Sequence, residues 1–431
     1  MKRIHPTLAS ALSIPLVLWG SVGCAPEPID RPNVVLIVLD TLRADQLTAY
    51  GQAKDRAPYL TQLAQRSVVF ENAFSSSSWT APSTASLLTG TYDDRHGVEE
   101  GFLVQLQRGV KQIDLPTLSP ATPTLAQVLQ RNGYTTFGLT ANINIGPEMK
   151  FDRGFDHFER QHEWTAQGVF KKVRQWKEQI LGADPYFLYM HLNDVHKPYR
   201  VRERWYEAEG GKNEDAFARY KSELGFMDSF LARIHKLLAW GDDDLVVVVS
   251  DHGEEFYEHG DWGHHFTLYG EVNRIVFMIH GPGHGIAAGR ISTEASIVDV
   301  GPTLLDLVDI PAPVDGDGVS WARELRDANG WSPGRTLFAH RIETNGELWS
   351  AISNGWKLIE GMPNGPELYQ LTSDPGETKN LAGERPQELA LLSEALAQHK
   401  RRAPGVKATR QGVPLDEDLL KHLNELGYVD D

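Results

Sequence analysis

The stretch Asn33-Val34-Val35-Leu36-Ile37-Val38-Leu39-Asp40 carries the clearest structural signal in this chain of 431 residues. A continuous aliphatic, β-branched run is typical of a strand that is buried on both faces of a parallel sheet. Open α/β sheets bind ligands at the carboxyl ends of their strands, so Asp40 is a candidate metal ligand. The alternative is that Asp40 caps a short helix over residues 41–45.

A second buried-strand pattern, at residues 245–250, also ends in acidic residues. It leads directly into Asp251-His252-Gly253-Glu254. Two carboxylates and an imidazole at strand ends form an oxygen and nitrogen ligand set that suits a divalent cation.

Strands and helices are predicted to alternate along the first three quarters of the chain. The predicted strands are residues 34–39, 68–70, 134–140, 186–191 and 245–250, and the predicted helices are 58–66, 124–132 and 216–240. This alternation predicts an α/β fold in which a doubly wound, mostly parallel sheet is sandwiched by helices.

The segment Ser78-Trp79-Thr80-Ala81-Pro82-Ser83-Thr84 opens an apolar helical run. Proline is favoured in the first turn of a helix, so Thr80 is expected at or just before a helix N-terminus. Free backbone N–H groups and the helix dipole attract an anion there, which makes the Thr80 hydroxyl a candidate nucleophile. The alternative is that Thr80 or Ser83 serves only as an N-cap.

Two loops that follow predicted strands carry polar side chains. The loop Asn193-Asp194-Val195-His196-Lys197-Pro198 concentrates titratable groups, and the loop Ala141-Asn142-Ile143-Asn144 is neutral. The first loop is a candidate acid/base site, with a polar surface turn as the alternative.

The character of the chain changes after Pro311-Ala312-Pro313. Shorter strands are predicted at residues 336–341, 348–353 and 356–360, followed by a helical tail from Gln387 onwards. These elements predict a smaller C-terminal α+β subdomain. We therefore expect four segments: a signal peptide at 1–24, a linker at 25–32, a catalytic domain at 33–325, and the subdomain with its tail at 326–431.

The N-terminus has the layout of an export signal. Lys2 and Arg3 precede an apolar stretch, and small residues end at Cys24, the only cysteine of the chain. This layout is similar to a bacterial lipoprotein signal, although Ser21 stands where such signals usually carry leucine. We expect an exported protein of the bacterial cell envelope that meets the membrane through a lipid on Cys24.

The overall charge argues against a nucleic-acid partner. Acidic residues outnumber basic ones by 58 to 42, which gives a formal net charge of −16. A surface with this excess of negative charge repels a phosphate backbone.

Several motifs, in order and spacing, resemble those of the sulfatase family within the alkaline phosphatase superfamily. The motifs are Val38-Leu39-Asp40-Thr41-Leu42-Arg43-Ala44-Asp45, Ala85-Ser86-Leu87-Leu88-Thr89-Gly90, Ser250-Asp251-His252-Gly253-Glu254-Glu255 and Leu268-Tyr269. The resemblance extends over nearly the whole stretch from Asn33 to Tyr428. It implies an alkaline-phosphatase-like fold and a metal-dependent ester hydrolase.

The resemblance also implies a ligand set. It implies that Asp40, Asp251 and His252 hold one divalent metal ion and that the nucleophile, here Thr80, completes the coordination sphere. The ligand types leave calcium, magnesium, manganese and zinc open.

The resemblance further places two histidines beside the substrate. His196 matches the histidine next to the leaving group, and His264 lies where the family keeps a substrate-contacting cation or histidine. Packing around the site is the expected role of four other residues, Glu254, Glu255, His259 and His265.

The chain departs from the family at the nucleophile. Most sulfatases carry a cysteine or serine there, which is oxidised to formylglycine, and an arginine at the position of Thr84. Threonine cannot form the aldehyde, whose hydrate expels sulfate by breaking its own C–O bond. A phosphorylated threonine can instead be released by attack of water at phosphorus, which favours phosphorus chemistry.

A second departure lowers the positive charge of the site. The family usually carries a lysine in the loop where this chain has Asn142, and Thr84 replaces the arginine. A site with fewer cations should prefer a singly charged phosphodiester or phosphonate monoester over a dianion. Thr84, Asn142 and Lys197 are the predicted substrate-binding residues, and Lys197, His264 or His265 could restore charge.

The sequence therefore favours an exported, metal-dependent hydrolase of phosphodiester-like or related phosphate and phosphonate esters, with Thr80 as nucleophile. The substrate would be a small-molecule, glycan or lipid ester. A sulfatase without formylglycine and a transferase of phosphoryl-linked groups onto envelope glycans or lipids are the first alternatives. A non-catalytic binding protein on the same fold is the other.

Overall fold

A computed structural model describes residues 31–107, 112–161, 165–208, 210–264, 266–327, 330, 332–343, 346–402, 409–414 and 423. The predicted signal peptide, Cys24, His265 and the last residues of the tail lie outside these ranges. In the described part of the chain, no helix combines the length and apolar character that a membrane span requires.

The ends of the strands position the functional residues. They are β1 Val34–Leu39, β2 Val68–Phe70, β3 Ala73–Phe74, β4 Gln112–Pro116, β5 Thr135–Thr140, β6 His157–Arg160, β7 Tyr186–Leu192, β8 Leu245–Ser250, β9 Glu255–Phe256, β10 Trp262–Gly263, β11 Arg274–Ile275, β12 Phe277–His280, β13 Gly289–Ile291, β14 Ala295–Ser296, β15 Leu337–Glu343, β16 Gly346–Ser353, β17 Trp356–Glu360, β18 Glu367–Gln370 and β19 Arg410–Pro414.

The helices alternate with the strands over most of the chain. They are α1 Pro58–Ala64, α2 Thr80–Thr89, α3 Asp93–His96, α4 Phe102–Gln107, α5 Leu125–Arg131, α6 Ala166–Leu181, α7 Lys212–Leu238, α8 Gly270–Asn273, α9 Val300–Leu307, α10 Ala322–Asp327 and α11 Pro386–Lys400.

The central sheet has eight strands in the order β13-β2-β12-β8-β1-β7-β5-β6. Strands β8, β1, β7, β5 and β6 run parallel, whereas β12 is antiparallel to both of its neighbours. The non-sequential order requires crossovers on both faces. The predicted doubly wound, mostly parallel sheet is therefore confirmed.

Strand β1 is buried from both sides, as its aliphatic run predicts. Val34, Leu36 and Val38 belong to a core that includes α2, α5 and α9 residues, and the alternate residues Val35, Ile37 and Leu39 belong to a core that includes α1, α6 and α7 residues. Because successive side chains of a strand point to opposite faces, both helix layers pack on β1. The predicted helical sandwich is confirmed.

The C-terminal part of the chain forms a smaller antiparallel sheet in the order β15-β16-β17-β18, against which α11 packs. The sequence predicts three of these strands and the helix, and the structure adds β18. From Pro32 onwards the chain forms one compact unit. The boundary at residues 325 and 326 remains a prediction.

Several predicted helix limits differ from the observed ones. Helix α7 begins four residues earlier than predicted, at Lys212, because its exposed first turn carries no apolar periodicity. Helix α5 begins at Leu125, since Thr124 is its N-cap and forms a capping box with Gln127.

The alternative role of Asp40 as a helix cap is wrong. Residue Thr41 has a positive φ of 55°, and the short helical turn that follows begins at Ala44, with Arg43 in the N-cap position. Asp40 is therefore outside any cap geometry, and its side chain is used elsewhere.

Candidate active site

The register of the central sheet brings Asp40 and Asp251 together. Leu39, the last residue of β1, pairs with Leu192 on one side and with Ser250 on the other, so the next residues of β1 and β8 are the two aspartates. Both carboxylates are fully buried. Their proximity results from parallel pairing between strands that are distant in sequence.

One oxygen of each aspartate is held by hydrogen bonds, and the other is left over. Asp40 Oδ2 accepts from Asn142 Nδ2 at 2.5 Å and from His191 Nε2 at 3.1 Å. Asp251 Oδ1 accepts from the backbone N–H of Thr41 at 3.2 Å and of His252 at 2.9 Å. Asp40 Oδ1 and Asp251 Oδ2 are buried without a hydrogen-bond partner among the described residues.

The imidazole of His252 faces these two oxygens. Its Nδ1–H donates to the carbonyl of Gly253 at 2.9 Å, which leaves Nε2 as the lone-pair nitrogen. That nitrogen lies 3.5 Å from Asp251 Oδ2 and 3.8 Å from Asp40 Oδ1. Imidazoles that bind metals commonly donate their other N–H to a carbonyl in this way.

These atoms fit a divalent cation. One potential ligand atom from each of Asp40, Asp251 and His252 lies within 4.8 Å of the others. Buried oxygens without a partner are costly, and a cation would satisfy both of them. The predicted ligand set is therefore brought together.

The electrostatics of the two aspartates support this interpretation. Burial raises the pKa of Asp251 well above its usual value, and the negative charge of Asp40 raises it further. Burial would also raise the pKa of Asp40, but the hydrogen bond from His191 and nearby imidazoles lower it below its usual range. Two buried negative charges oppose each other here, and a cation between them would remove that cost.

Thr80 occupies the first position of α2 and is almost completely buried. Its Oγ1 lies 3.3 Å from His252 Nε2, so the hydroxyl shares the space that the two aspartates face. The N-cap residue is Trp79, which provides no side-chain cap. Ser83 Oγ instead donates back to the carbonyl of Trp79 at 2.6 Å, so the alternative in which Thr80 or Ser83 is the N-cap is wrong.

Two further imidazoles line the same region. The ring centroid of His264 lies 4.5 Å from that of His252 and 5.0 Å from that of His196. His196 Nδ1 donates to the carbonyl of Lys197 at 2.6 Å, and His264 Nδ1 is 2.7 Å from Glu254 Oε1. These bonds orient both rings.

Burial and nearby charges shift the pKa values of His264 and of Glu254, its carboxylate partner. Burial lowers the pKa of His264 well below its usual value, and the charges of His252 and His196 lower it further. Burial raises the pKa of Glu254 to about 7. Glu254, predicted only as packing, therefore directly orients a predicted catalytic histidine.

The three predicted substrate-binding residues differ in their surroundings. Thr84 lies one helical turn after Thr80, is buried, and its hydroxyl has no hydrogen-bond partner in the described part of the chain. Lys197 is exposed. Asn142 donates to Asp40 and to Asn193 Oδ1, so its amide supports a candidate metal ligand, and a substrate role for it remains a prediction.

Sequence reasoning missed His191. It is fully buried at the end of β7 and contacts Asp40, with Tyr189 Oη on its other nitrogen at 2.9 Å. The available signal was a single imidazole in an otherwise apolar and aromatic strand that pairs with β1. Such a residue more often belongs to the core, which is why the pattern alone did not identify it.

A second group of potential ligands, Glu255, His259 and Glu271, is already hydrogen-bonded. His259 Nδ1 is 2.6 Å from Glu271 Oε1, and its Nε2 is 3.2 Å from the carbonyl of Glu377. Glu255 accepts from the backbone N–H groups of His259 and Asp261. These contacts agree with the packing role that is predicted for Glu255 and His259.

An α/β sandwich that gathers two aspartates, an imidazole and a hydroxyl at the carboxyl edge of its sheet defines a metal-dependent ester hydrolase. The chain belongs to the sulfatase family, whose model, described as Sulfatase, matches residues 32–310.

Comparisons with known proteins agree with this assignment. The chain is 23% identical to Delta 4,5-hexuronate-2-O-sulfatase of Bacteroides thetaiotaomicron, over 88% of this chain and 89% of that protein. It is 26% identical to arylsulfatase A of Homo sapiens, over 82% and 83% respectively.

Solved structures show the same fold. A 2-O GAG sulfatase superimposes with a TM-score of 0.72 and 18% identity, over 89% of this chain and 98% of that one. A protein in complex with its substrate D-glucosamine-2-N,6-O-disulfate gives a TM-score of 0.71 and 18% identity, over 88% and 100%.

Proposed function

We propose that this protein hydrolyses phosphodiester-like or related phosphate and phosphonate esters, with Thr80 as nucleophile. The observation that carries the proposal is the position of the Thr80 hydroxyl. It lies at the N-terminus of α2, 3.3 Å from His252 Nε2, the nitrogen that also faces the two unpartnered aspartate oxygens. A hydroxyl in this place can approach an electrophilic centre while neighbouring groups hold its charge.

The side chain at position 80 favours phosphorus over sulfur. The formylglycine mechanism needs an aldehyde, and the methyl group on the Thr80 β-carbon prevents its formation. An ester of Thr80 must then be opened by water at the transferred centre. Metal-activated water can attack the phosphorus of a phosphorylated hydroxyl. A sulfated threonine, by contrast, lacks the C–O cleavage exit of the aldehyde hydrate.

A divalent cation, bound by Asp40, Asp251, His252 and Thr80, would act as a Lewis acid that lowers the pKa of the hydroxyl and neutralises charge on the ester. Backbone N–H groups at the start of α2 would be available to the oxygens of the ester. The Thr80 hydroxyl would release its proton to solvent, and its oxygen would form a bond to phosphorus as the bond to the leaving oxygen breaks. His196 would supply the proton that the leaving oxygen needs.

The charge of the substrate follows from the cations that the site lacks. Thr84 and Asn142 stand where the family carries arginine and lysine, and Lys197 is exposed. One charge less on the substrate removes a repulsion from the two buried aspartates. A diester or phosphonate monoester, with one negative charge, therefore fits better than a monoester dianion.

The test is a comparison of four aryl esters: a sulfate, a phosphomonoester, a phosphodiester and a phosphonate monoester. Each is assayed with the purified protein in Mg²⁺, Mn²⁺, Ca²⁺ and Zn²⁺. We expect the diester and phosphonate to give the highest kcat/KM. A strong preference for the phosphomonoester or for the sulfate would contradict the substrate assignment.

Two variants test the nucleophile. Thr80→Ala removes the hydroxyl and should lower kcat by about a thousandfold or more, while Thr80→Ser keeps it and should stay within about tenfold of the wild type. Intact mass must show that the new serine is not oxidised to formylglycine. Full activity of the alanine variant would exclude Thr80 as nucleophile.

Hydrolysis of a sulfuric ester is the second candidate, and the named relatives favour it because they are sulfatases. Release of free sulfate by unmodified Thr80 would establish this alternative. A conjugate on an added glycan or lipid acceptor would instead indicate a transferase. Inactivity towards every ester, together with retained metal binding, would indicate a binding protein.

Export and lipid anchoring at Cys24 are also part of the proposal, and they rest on the N-terminal sequence. The test is metabolic labelling with a radioactive fatty acid in a bacterial host. We expect label in the wild type and none in Cys24→Ser. An unlabelled wild-type protein in the cytoplasmic fraction would contradict the assignment.

A further inference from the structure

Tyr189, His191 and Asp40 form a buried chain of hydrogen bonds that ends at the candidate metal centre. Tyr189 Oη lies 2.9 Å from His191 Nδ1, and His191 Nε2 lies 3.1 Å from Asp40 Oδ2. All three side chains are fully buried. Two of them, Tyr189 and His191, are not used in the chemistry described above.

The direction of the protons in this chain follows from the acceptors. The phenol of Tyr189 must donate its proton to His191 Nδ1 if it is to avoid a buried donor without an acceptor. His191 Nδ1 is then the lone-pair nitrogen, so the imidazole proton lies on Nε2 and points at Asp40. Tyr189 thereby selects the tautomer of His191.

The proton on His191 Nε2 determines which oxygen of Asp40 can reach a cation. Asn142 Nδ2 donates to the same oxygen, Oδ2, at 2.5 Å, so two donors hold it. Oδ1 is the oxygen left without a partner among the described residues. The carboxylate cannot rotate about its bond without losing both hydrogen bonds.

We propose that His191, held in its Nε2–H tautomer by Tyr189, is a positioning residue that makes Asp40 a one-oxygen metal ligand through Oδ1. The inference rests on the metal centre of the proposed function but not on the choice of ester. His191 Nε2 also lies 3.8 Å from Asp251 Oδ2, so its proton is close to both aspartates.

The test measures metal binding directly by titration calorimetry, with Mn²⁺, Zn²⁺, Ca²⁺ and Mg²⁺ as separate probes. His191→Leu removes the donor and should weaken the tightest of these ions by about 10- to 100-fold. His191→Gln keeps an N–H within reach of Asp40 and should recover most of the affinity. Tyr189→Phe removes the hydroxyl that selects the His191 tautomer and should give an intermediate loss of metal affinity.

Tyr186→Phe is the matched control. Tyr186 lies on the same strand, is equally buried and loses the same atom, but it has no contact with His191 or Asp40 in the described part of the chain. We expect its metal affinity to stay at the wild-type value. A purely structural role for hydroxyls of β7 would weaken binding in both phenylalanine variants and would overturn the proposal.

An ¹⁵N spectrum of histidine-labelled protein provides a readout that is independent of metal and activity. The resonance that disappears in His191→Leu belongs to His191, and it should carry its proton on Nε2. In Tyr189→Phe this tautomer should no longer be the sole form. A proton on Nδ1 in the wild type would overturn the proposal.

The outcomes separate this inference from the proposed function. If His191→Leu and Tyr189→Phe bind metal as tightly as the wild type, the positioning role is wrong and the metal centre stands. If the wild type binds none of the four ions, the metal centre and the positioning role both fail. If His191→Leu does not fold, the metal affinities of Tyr189→Phe and its control Tyr186→Phe decide whether the positioning role is correct.

Discussion

Asp251 and Asp40 show at the scale of single residues that the site is organised for a cation and not for stability. Each carboxylate is fully buried, and each has one oxygen that nothing in the described part of the chain contacts by a hydrogen bond. Burying two like charges without compensation costs free energy. The arrangement is reasonable only if an ion compensates for that cost.

Asp251→Asn should therefore affect metal binding and stability in opposite directions. The amide oxygen can still accept from the N–H groups of Thr41 and His252, but the second position becomes a donor that repels a cation. We expect metal affinity to fall by more than about a hundredfold and activity to fall with it. Thermal unfolding without metal should show an equal or higher midpoint. Unchanged metal affinity, measured by calorimetry, would contradict the ligand assignment.

The residues of the candidate site were predictable to different degrees. Asp40 and Asp251 follow apolar strands and Thr80 opens an apolar helical run, so the pattern makes them candidates. The family resemblance then favours them over helix caps. His191 stands inside such a run, and its role depends on which strand pairs with β7. The role of Glu254 could not be predicted, because its contact with His264 depends on the conformation of the loop between them.

At the scale of the element, the C-terminal end of α2, the helix that begins at Thr80, is fixed by a glycine. Gly90 follows the helix with a φ of 66°, a left-handed conformation that favours glycine. A β-carbon at Gly90 would lie 3.3 Å from Pro302 Cδ, next to the start of α9. The end of the nucleophile helix therefore packs closely against its neighbour.

Gly90→Ala should lower the free energy of unfolding by about 1–2 kcal/mol, because the left-handed conformation and the contact with Pro302 both oppose a side chain. Urea denaturation of the metal-free protein measures the loss. Gly383→Ala is the matched control, since no atom lies within 4 Å of the β-carbon that it adds. Equal stability of the two variants would show that the end of α2 tolerates a side chain.

Elements of the central sheet were predicted better than those around it. Strands β1 and β8 match their predicted limits because continuous aliphatic runs make up nearly all of both strands. The two-residue strands β9, β10, β11 and β14 carry no comparable run, and each pairs with a short partner strand outside the central sheet. Sequence periodicity does not report such pairing.

At the scale of the whole molecule, the small C-terminal sheet is attached to the loops that follow the metal ligands. Lys357 of β17 and Glu377 are both fully buried, and Lys357 Nζ lies 2.8 Å from Glu377 Oε1. Glu377 Oε2 accepts from the backbone N–H of Gly270, at the start of α8. The pair therefore joins the C-terminal sheet to the segment after His264.

Lys357→Met should destabilise the protein by about 3–5 kcal/mol, because it leaves the Glu377 charge buried and unpaired. The double variant Lys357→Met/Glu377→Gln removes that charge as well and should be more stable than the single variant. Chemical denaturation of all three proteins measures both effects. A double variant that is less stable than Lys357→Met would contradict this explanation.

His259 links the same parts of the molecule and should make stability depend on pH. Burial alone would lower the pKa of His259, but its hydrogen bond to Glu271 and the charge of Glu271 raise it to about 9. The charged form is therefore favoured in the folded protein. Below pH 6.5, which is about the pKa of an unfolded histidine, the charged imidazole contributes its full stabilising free energy. This contribution is lost as the pH rises through about 9.

Thermal unfolding between about pH 6 and pH 10 checks this effect, because the wild-type midpoint should fall across the interval as the His259 proton is lost. His259→Gln cannot carry the charge and should show a smaller fall over the same interval. Parallel curves for the two proteins would mean that another group causes the dependence.

The sequence by itself determined the sheet, its two helix layers and the residues at the strand ends, because hydrophobic periodicity is a local property that each segment carries alone. The tertiary structure decided which oxygen of Asp40 remains available, that His191 contacts the other oxygen, and how the C-terminal sheet is attached. These features depend on the register between β1, β7 and β8 and on hydrogen bonds between residues far apart in the chain. Shifts of a few tenths of an ångström decide which of these hydrogen bonds form, and no local sequence pattern encodes such shifts.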